Sequence, residues 1–224
     1  MVKLRWLGHA AWLIEGAAAK VVIDPFIKNN PKAPVKVEEL KDIDLVIVTH
    51  NHFDHFGDSI EIANRNKAKF AAVFETVNEA SKNGLQESLA LGMNKGGPLE
   101  EAVEGIEMAI TDAVHTGNES GVILKIDSVV IYHSGDTGLF GDMELIGRLF
   151  SPDIALLPIG GHFTMGPKEA AEAVKMIRPK VAIPMHYGTF PAISKDPEEF
   201  RKAVGTIAKV EVLNPGDVFE YKSE

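Results

Sequence analysis

The sequence predicts a mixed α/β protein whose β-sheets are covered by helices. Three observations carry that expectation. The early chain reads as short strands rich in apolar and β-branched residues, separated by Gly or Ala turns. The later chain alternates strand and helix patterns. The composition, 45 % hydrophobic and 25 % charged, is that of an ordinary globular protein. With 224 residues and no repeat, low-complexity tract or linker, the chain is read as one domain over 1–224.

The elements follow in order. Residues 2–8, 10–16 and 19–26 read as strands, and 28–34 as a loop by its Asn and Pro content. The continuous apolar run at 44–50 reads as a strand buried on both faces. A helical pattern follows around Ile60, Ile62 and Ala63, then a strand at 68–74 and a short helix from Thr76. Residues 92–98 read as a glycine-rich loop and 104–115 as a strand. A hairpin flanks Asp127-Ser128. Then come a helix at 143–150, a strand at 153–160, a helix at 167–177 and a strand at 180–186. The helix over 196–208 has Asp196 as N-cap and Pro197 at its first position. Strands at 210–217 and 218–221 close the chain.

Composition narrows the function. The chain has no cysteine, so disulfides, thiolate nucleophiles and sulfur-ligated zinc are excluded; any metal must be held by nitrogen and oxygen. A net charge of −9, with no dense Lys/Arg run, argues against a nucleic-acid partner. No apolar run approaches the ~20 residues of a membrane helix. The opening residues lack the regions of a signal peptide, so a cytoplasmic protein is expected.

The polar residues gather at strand ends. Apolar runs lead into His50, His115, Asp136, His162 and His186. Ligands of such sheets bind beyond the carboxyl ends of the strands. A random polar loop explains one of these placements and not the set. The stretch Thr49–Gly57, THNHFDHFG, adds His52, Asp54 and His55 to His50. His50 and His52, two apart, point the same way if the segment is extended. All these donors would crowd a single tetrahedral ion, so dividing them between two ions is easier.

Residues 49–55 match the HxHxDH signature of the metallo-β-lactamase superfamily. The resemblance covers essentially the whole chain. VVIDPF (21–26) resembles the early Asp motif, His115 the isolated histidine, YHSGDT (132–137) the later Asp motif and PMHYGT (184–189) the last histidine. The stretches 7–16 and 160–167 look most like the metal-dependent hydrolases near ascorbate-6-phosphate lactonase. The resemblance implies a four-layer αββα sandwich of two mixed β-sheets with helices on the outer faces. It also implies a two-metal site. His50, His52 and His115 would hold the first ion; Asp54, His55 and His186 the second; Asp136 would bridge them. Zinc is the expected ion, and manganese or iron would accept the same donors. The glutamate that replaces the second histidine in oxygen-reducing relatives is not found here; that position is His52. The bridging aspartate that antibiotic-degrading relatives usually lack is present as Asp136.

The implied activity is metal-dependent hydrolysis of a lactone, ester or phosphodiester, in which a hydroxide shared by the two ions attacks the substrate. The alternative is a metal-binding regulatory member of the fold without catalysis. Asp54 is expected to orient the hydroxide. His162, after Gly160-Gly161, is expected to donate to a substrate anion or to the leaving group. His9 is expected at the same pocket, and Asp24 behind the metal loop as a partner for ligand histidines. The expected partner is a small molecule, with room for an anionic one; homo-oligomers are compatible with the sequence. His133 is read as structural and Tyr187 as packing.

Overall fold

In the computed structural model, which describes residues 1–223, strand burial follows from the sequence pattern. Strand β1 (Val2–Trp6) buries Val2, Leu4 and Trp6 and leaves Lys3 exposed, the alternation of a strand with one covered face. It is followed by β2 (Trp12–Glu15) and β3 (Lys20–Ile23) in an antiparallel meander. Strands β4 (Leu45–Ile47), β5 (Lys69–Val73) and β6 (Ala90–Met93) extend it in parallel, and β14 (Val218–Tyr221) pairs with β1 at the other edge. The order of this sheet is β14-β1-β2-β3-β4-β5-β6.

The second sheet mirrors the first. Strands β7 (Pro98–Val103), β8 (Ile106–Thr111), β9 (Gly121–Ile126) and β10 (Val129–His133) are antiparallel. Strands β11 (Ile154–Pro158), β12 (Val181–Met185) and β13 (Lys209–Val210) continue in parallel. Helices α1 (Phe53–Phe56), α2 (Ser59–Asn66) and α3 (Phe74–Lys82) follow strands of the first sheet. Helices α4 (Met143–Phe150), α5 (Pro167–Ile177) and α6 (Pro197–Val204) follow strands of the second.

Three apolar layers hold these elements together. The middle one lies between the sheets and joins Leu4, Trp12, Leu45 and Ile47 to Leu124, Ile131, Leu156 and Ile183. A second packs Val46 and Phe70 against Ile62 and Val77 of the first helical layer. A third packs Ala155 and Leu157 against Ile146, Val174 and Phe200 of the other. Neighbouring residues of β4 and β11 thus enter different layers, which is why both strands are apolar throughout. Each fully buried Leu, Ile or Val stabilises the fold by about 1.5–3 kcal/mol of transfer free energy. The result is the αββα sandwich expected from the sequence. Among the described residues no helix is long and apolar enough to cross a membrane.

Local expectations fail mainly at edges. The span 92–98 is not all loop: Gly92 and Met93 end β6, and Pro98 opens β7. Both strands lie at sheet edges, where half-exposed positions erase the apolar signature. Pro98 and the exposed Glu100 and Glu101 suit an unpaired rim. The strand expected over 104–115 is β8 alone, and residues 112–120 leave the sheet as a loop carrying His115. The strand expected at 210–217 shrinks to Lys209–Val210. The last helix stops at Val204 because Gly205 takes φ +60°, while Asp196 caps its start by accepting from the Glu198 N–H at 2.9 Å.

Gly147 sets how closely α4 approaches α5. A Cβ there would lie 2.4 Å from the Ile177 carbonyl oxygen. Gly147→Ala gains about 1 kcal/mol in helix propensity but drives a methyl into backbone that cannot rotate away. A net loss of about 1–3 kcal/mol is expected, read as a lower midpoint in thermal denaturation; an unchanged or higher midpoint would show that the helices part freely.

Candidate metal centre

Asp24, His50, Asp136 and His186 all follow strands at their carboxyl ends, after β3, β4, β10 and β12. Both sheets therefore present their polar residues at one rim. The chain is extended at His52 (φ −66°, ψ 148°) and then winds into α1, which carries Asp54 and His55. This bend is what lets one short stretch supply two groups of donors.

Asp24 lies fully buried behind the cluster. Its Oδ1 accepts from the Thr49 backbone N–H at 2.8 Å, and its Oδ2 from the Thr49 hydroxyl and from His55 Nδ1–H, each at 2.7 Å. The Thr49 proton is committed to Asp24, so Thr49 Oγ1 accepts from His50 Nδ1–H at 3.0 Å. One carboxylate thereby sets the tautomers of two histidines, and both direct Nε2 away from it. Burial opposes the Asp24 charge, but attraction to His55 and the bond between them bring its pKa below the ordinary value.

The donors fall into overlapping groups. One ligand atom each from His50, His52 and His115 lies within 4.8 Å of the others. His52 turns Nδ1 toward His50 Nε2 at 3.1 Å, with its own Nε2 3.3 Å from the Thr116 hydroxyl. A second group comprises His9, Asp54, His55 and His186, and a third His50, His55 and Asp136. Asp136 spans them, 3.3 Å from His55 Nε2, 3.1 Å from His186 Nε2 and 3.7 Å from His115 Nε2. It follows Gly135, whose φ of +61° and 2.4 Å Cβ clearance to the Ser120 carbonyl oxygen admit glycine alone without a shift.

These residues fit divalent cations. His55 Nε2, Asp136 Oδ1 and both ring nitrogens of His186 are buried without a hydrogen-bond partner among the described residues. Buried polar atoms are rarely left so, and here His55 Nε2 and His186 Nε2 converge on the Asp136 carboxylate. Burial disfavours the imidazolium of His50 and lowers its pKa to about 2, leaving a neutral ring suited to ligation. His115 is lowered in the same way, burial being the largest cause. At His55 burial is outweighed by the Asp136 and Asp24 carboxylates, and its pKa rises well above the ordinary value. Asp136, despite burial, stays ionised through its attraction to His186 and His55. The cluster thus sets imidazole nitrogens beside ionised carboxylate oxygens, a donor set that zinc, manganese and iron accept.

A cleft of about 560 Å³ opens onto the cluster. His52, Asp54, His115, Asp136 and His186 form its polar floor, with Phe53, Phe163, Phe190 and Ile193 around it.

Five of the seven residues expected as ligands form this floor, His50 and His55 lie buried in the cluster with Asp24 behind them, and three other placements differ from expectation. His9 is buried behind Asp54 and does not line the cleft; its Nε2–H donates to Asp54 Oδ2 at 3.0 Å, and its Nδ1 accepts from the Thr189 hydroxyl at 3.0 Å. His162 is exposed, and its neighbour Phe163 lines the cleft instead. Gly160 is small for another reason than substrate approach: a Cβ there would lie 2.3 Å from the His186 carbonyl oxygen. His133 is structural, donating from Nε2 to the Ala10 carbonyl at 2.9 Å and accepting at Nδ1 from the Gly135 N–H at 3.1 Å. Tyr187 stacks on Trp6 with ring centroids 5.3 Å apart. Sequence reasoning missed Thr49, Thr116 and Thr189; each lies one to three residues from a candidate ligand, and that proximity was the available signal.

Two face-to-face mixed sheets, outer helices and a His/Asp cluster at the strand ends define the metallo-β-lactamase fold class. The chain belongs to the beta-lactamase superfamily, whose domain profile matches residues 3–186, and within it to the UPF0173 metal-dependent hydrolases. It is 50 % identical over 226 residues to a UPF0173 metal-dependent hydrolase of Thermococcus kodakarensis, covering 98 % of this chain and 100 % of that one. It is likewise 50 % identical over 222 residues to one of Caldivirga maquilingensis, covering 96 % of each. Among solved structures, the metallo hydrolase Igni18 of Ignicoccus hospitalis superposes with a TM-score of 0.88 at 42 % identity over 99 % of both chains.

Two outcomes are expected. Asp24→Asn should weaken zinc binding by about 10–100-fold in chelator competition, with an unchanged far-ultraviolet spectrum. In the second, an ion taking His55 Nε2 must displace the proton that the raised pKa holds there. Zinc affinity should therefore fall as pH falls, and calorimetry in buffers of different ionisation enthalpy should show proton release. A heat independent of buffer would contradict this.

Proposed function

We propose that the protein is a dinuclear metal-dependent hydrolase that cleaves ester-type bonds in a small molecule. The observation that supports this most directly is the position of Asp136 between two groups of buried and half-buried donors at the floor of an open cleft. His50, His52 and His115 would hold one zinc ion, Asp54, His55 and His186 the other, and Asp136 both. When bound, the ions would lower the pKa of water from ~15.7 towards ~7 and polarise the bond to be cleaved.

The chain's own residues perform the rest. Burial disfavours the Asp54 charge, but the hydrogen bond from His9 and the attraction of His55 bring its pKa below the ordinary range. Such a carboxylate is a weak base, so Asp54 orients the attacking water by accepting a hydrogen bond from it. His9 keeps that carboxylate in place; its own pKa is lowered to about 4, chiefly by burial, so at neutral pH it is an uncharged donor.

Metal analysis of the zinc-reconstituted protein should find close to two ions per chain. His52→Ala and Asp136→Ala should each lower hydrolysis of a generic ester by at least about a thousandfold while the protein stays soluble. Retained activity in either variant, or no bound metal, would overturn the assignment.

A further inference from the structure

Three phenylalanines from three separate segments edge the cleft: Phe53 from α1, Phe163 from the β11–α5 loop and Phe190 from the segment after β12. Phe53 is 70 % exposed and Phe163 56 % exposed, a large apolar surface left in water beside the polar floor. Phe53 and Phe190 are held by contact with a common ring. The buried Phe26 meets Phe53 edge-on at 5.8 Å and Phe190 at 6.4 Å. His9 backs the same ring group, its centroid 5.6 Å from that of Phe190. Ile193, fully buried, completes the wall.

The charges around the cleft complement this wall. Among the described residues, no lysine or arginine lines it, and the charged lining side chains are the carboxylates of Asp54 and Asp136. A nearby cation, Lys195, lies over Gly161, where a Cβ would meet its Cε at 3.2 Å; it is exposed and outside the lining. A phosphodiester carries a negative charge shared by the two non-bridging oxygens of the phosphorus under attack, whereas a carboxylic ester is neutral there. Two ions would serve the reacting centre in either chemistry, so discrimination falls to the surrounding residues. Those offer aromatic rings and no cationic fork, so an anionic oxygen turned away from the ions and toward these walls would lose hydration without gaining a partner.

We propose that the cleft takes a neutral carboxylic ester or lactone bearing an apolar arm, in preference to a phosphodiester. The proposal rests on the hydrolase reading above and replaces the expectation of an anionic substrate. One water is consumed: its oxygen bonds to the acyl carbon and the acyl carbon–oxygen bond breaks. The departing oxygen takes one proton, and the other is lost as the new carboxylic acid ionises. A lactone gives a single hydroxycarboxylate. The apolar arm lies along Phe53, Phe163 and Phe190.

The test uses the zinc-reconstituted protein and two independent readouts. In turnover, p-nitrophenyl acetate, butyrate and octanoate are compared with bis(p-nitrophenyl) phosphate, which matches their aryl group and adds charge. The ratio kcat/KM should rise at least about tenfold from acetate to octanoate, since each buried methylene adds favourable transfer free energy. The phosphate should be at least about a hundredfold poorer than octanoate, the cost of a desolvated unpaired charge. Phe53→Ser with Phe163→Ser should flatten the chain-length dependence, chiefly through KM; both side chains are exposed, so folding is little affected. In binding, ligand-observed NMR compares γ-butyrolactam, its hexyl-substituted homologue and dibutyl phosphate. The hexyl lactam should bind at least about tenfold tighter than either.

Dibutyl phosphate binding tighter than the hexyl lactam, or the phosphodiester turning over faster than octanoate, would overturn the proposal and leave the hydrolase reading intact. Preferential binding of the hexyl lactam with no ester turned over would leave the cleft's preference standing and sink the hydrolase reading.

Discussion

The buried Asp24 carboxylate is the constraint on which the rim depends. It joins the end of β3 to the Thr49 backbone and hydroxyl and to His55 in the first turn of α1. Through Thr49 it also fixes His50. Two rings of the cluster therefore share one anchor, and both turn Nε2 away from it, His50 toward His52 and His55 toward Asp136. A carboxylate in this place costs desolvation, and hydrogen bonds to its charged form offset that cost. Removing it would leave the tautomer of each ring open, and with it the direction of each lone pair.

A second set of interactions locks the sheets together at the same rim. The His9 carbonyl accepts from the His186 backbone N–H at 2.9 Å and from Trp6 Nε1–H at 3.0 Å, and His133 donates to the Ala10 carbonyl. The β1–β2 turn of one sheet is thus sewn to the ends of β10 and β12 of the other. His9, Asp24 and His186 take φ of 58°, 47° and 54°, left-handed conformations that cost roughly 1–3 kcal/mol apiece in side-chain-bearing residues. The middle apolar layer, with Trp12 and its neighbours, supplies stabilisation enough to hold them. Eight further non-glycine residues among those described take positive φ, but at these three the conformation serves the donor cluster, and there the fold gives up stability for geometry.

The two parts of the cleft have different structural origins. Its floor joins Asp136 and His186, just past β10 and β12, to His52 and Asp54 at the turn into α1 and to His115 on the loop after β8. Its walls come from α1 and from loops after β11 and β12, whose side chains can change without disturbing the ladders. Chemistry is therefore tied to the fold, while substrate preference is carried by residues that the fold leaves free.

Much of this was legible in the chain alone. Apolar runs gave β4, β11 and β12 because strands buried on both faces must be apolar at every position. The spacing of His50, His52, Asp54 and His55 pointed to a metal loop, the resemblance to the metallo-β-lactamase superfamily added His115, Asp136 and His186 to it, and the fold brings these seven side chains together. The edge strands β6 and β7 were hidden because half-exposed positions carry no clear period. Three things were decided only by the tertiary structure: that His9 stands behind Asp54, that Phe163 rather than His162 lines the cleft, and that Gly160 yields to the His186 carbonyl. Each depends on contacts between residues far apart in sequence and brought together only by packing. Local pattern determines what a residue can do, and the meeting of the two sheets determines which atoms it does it with.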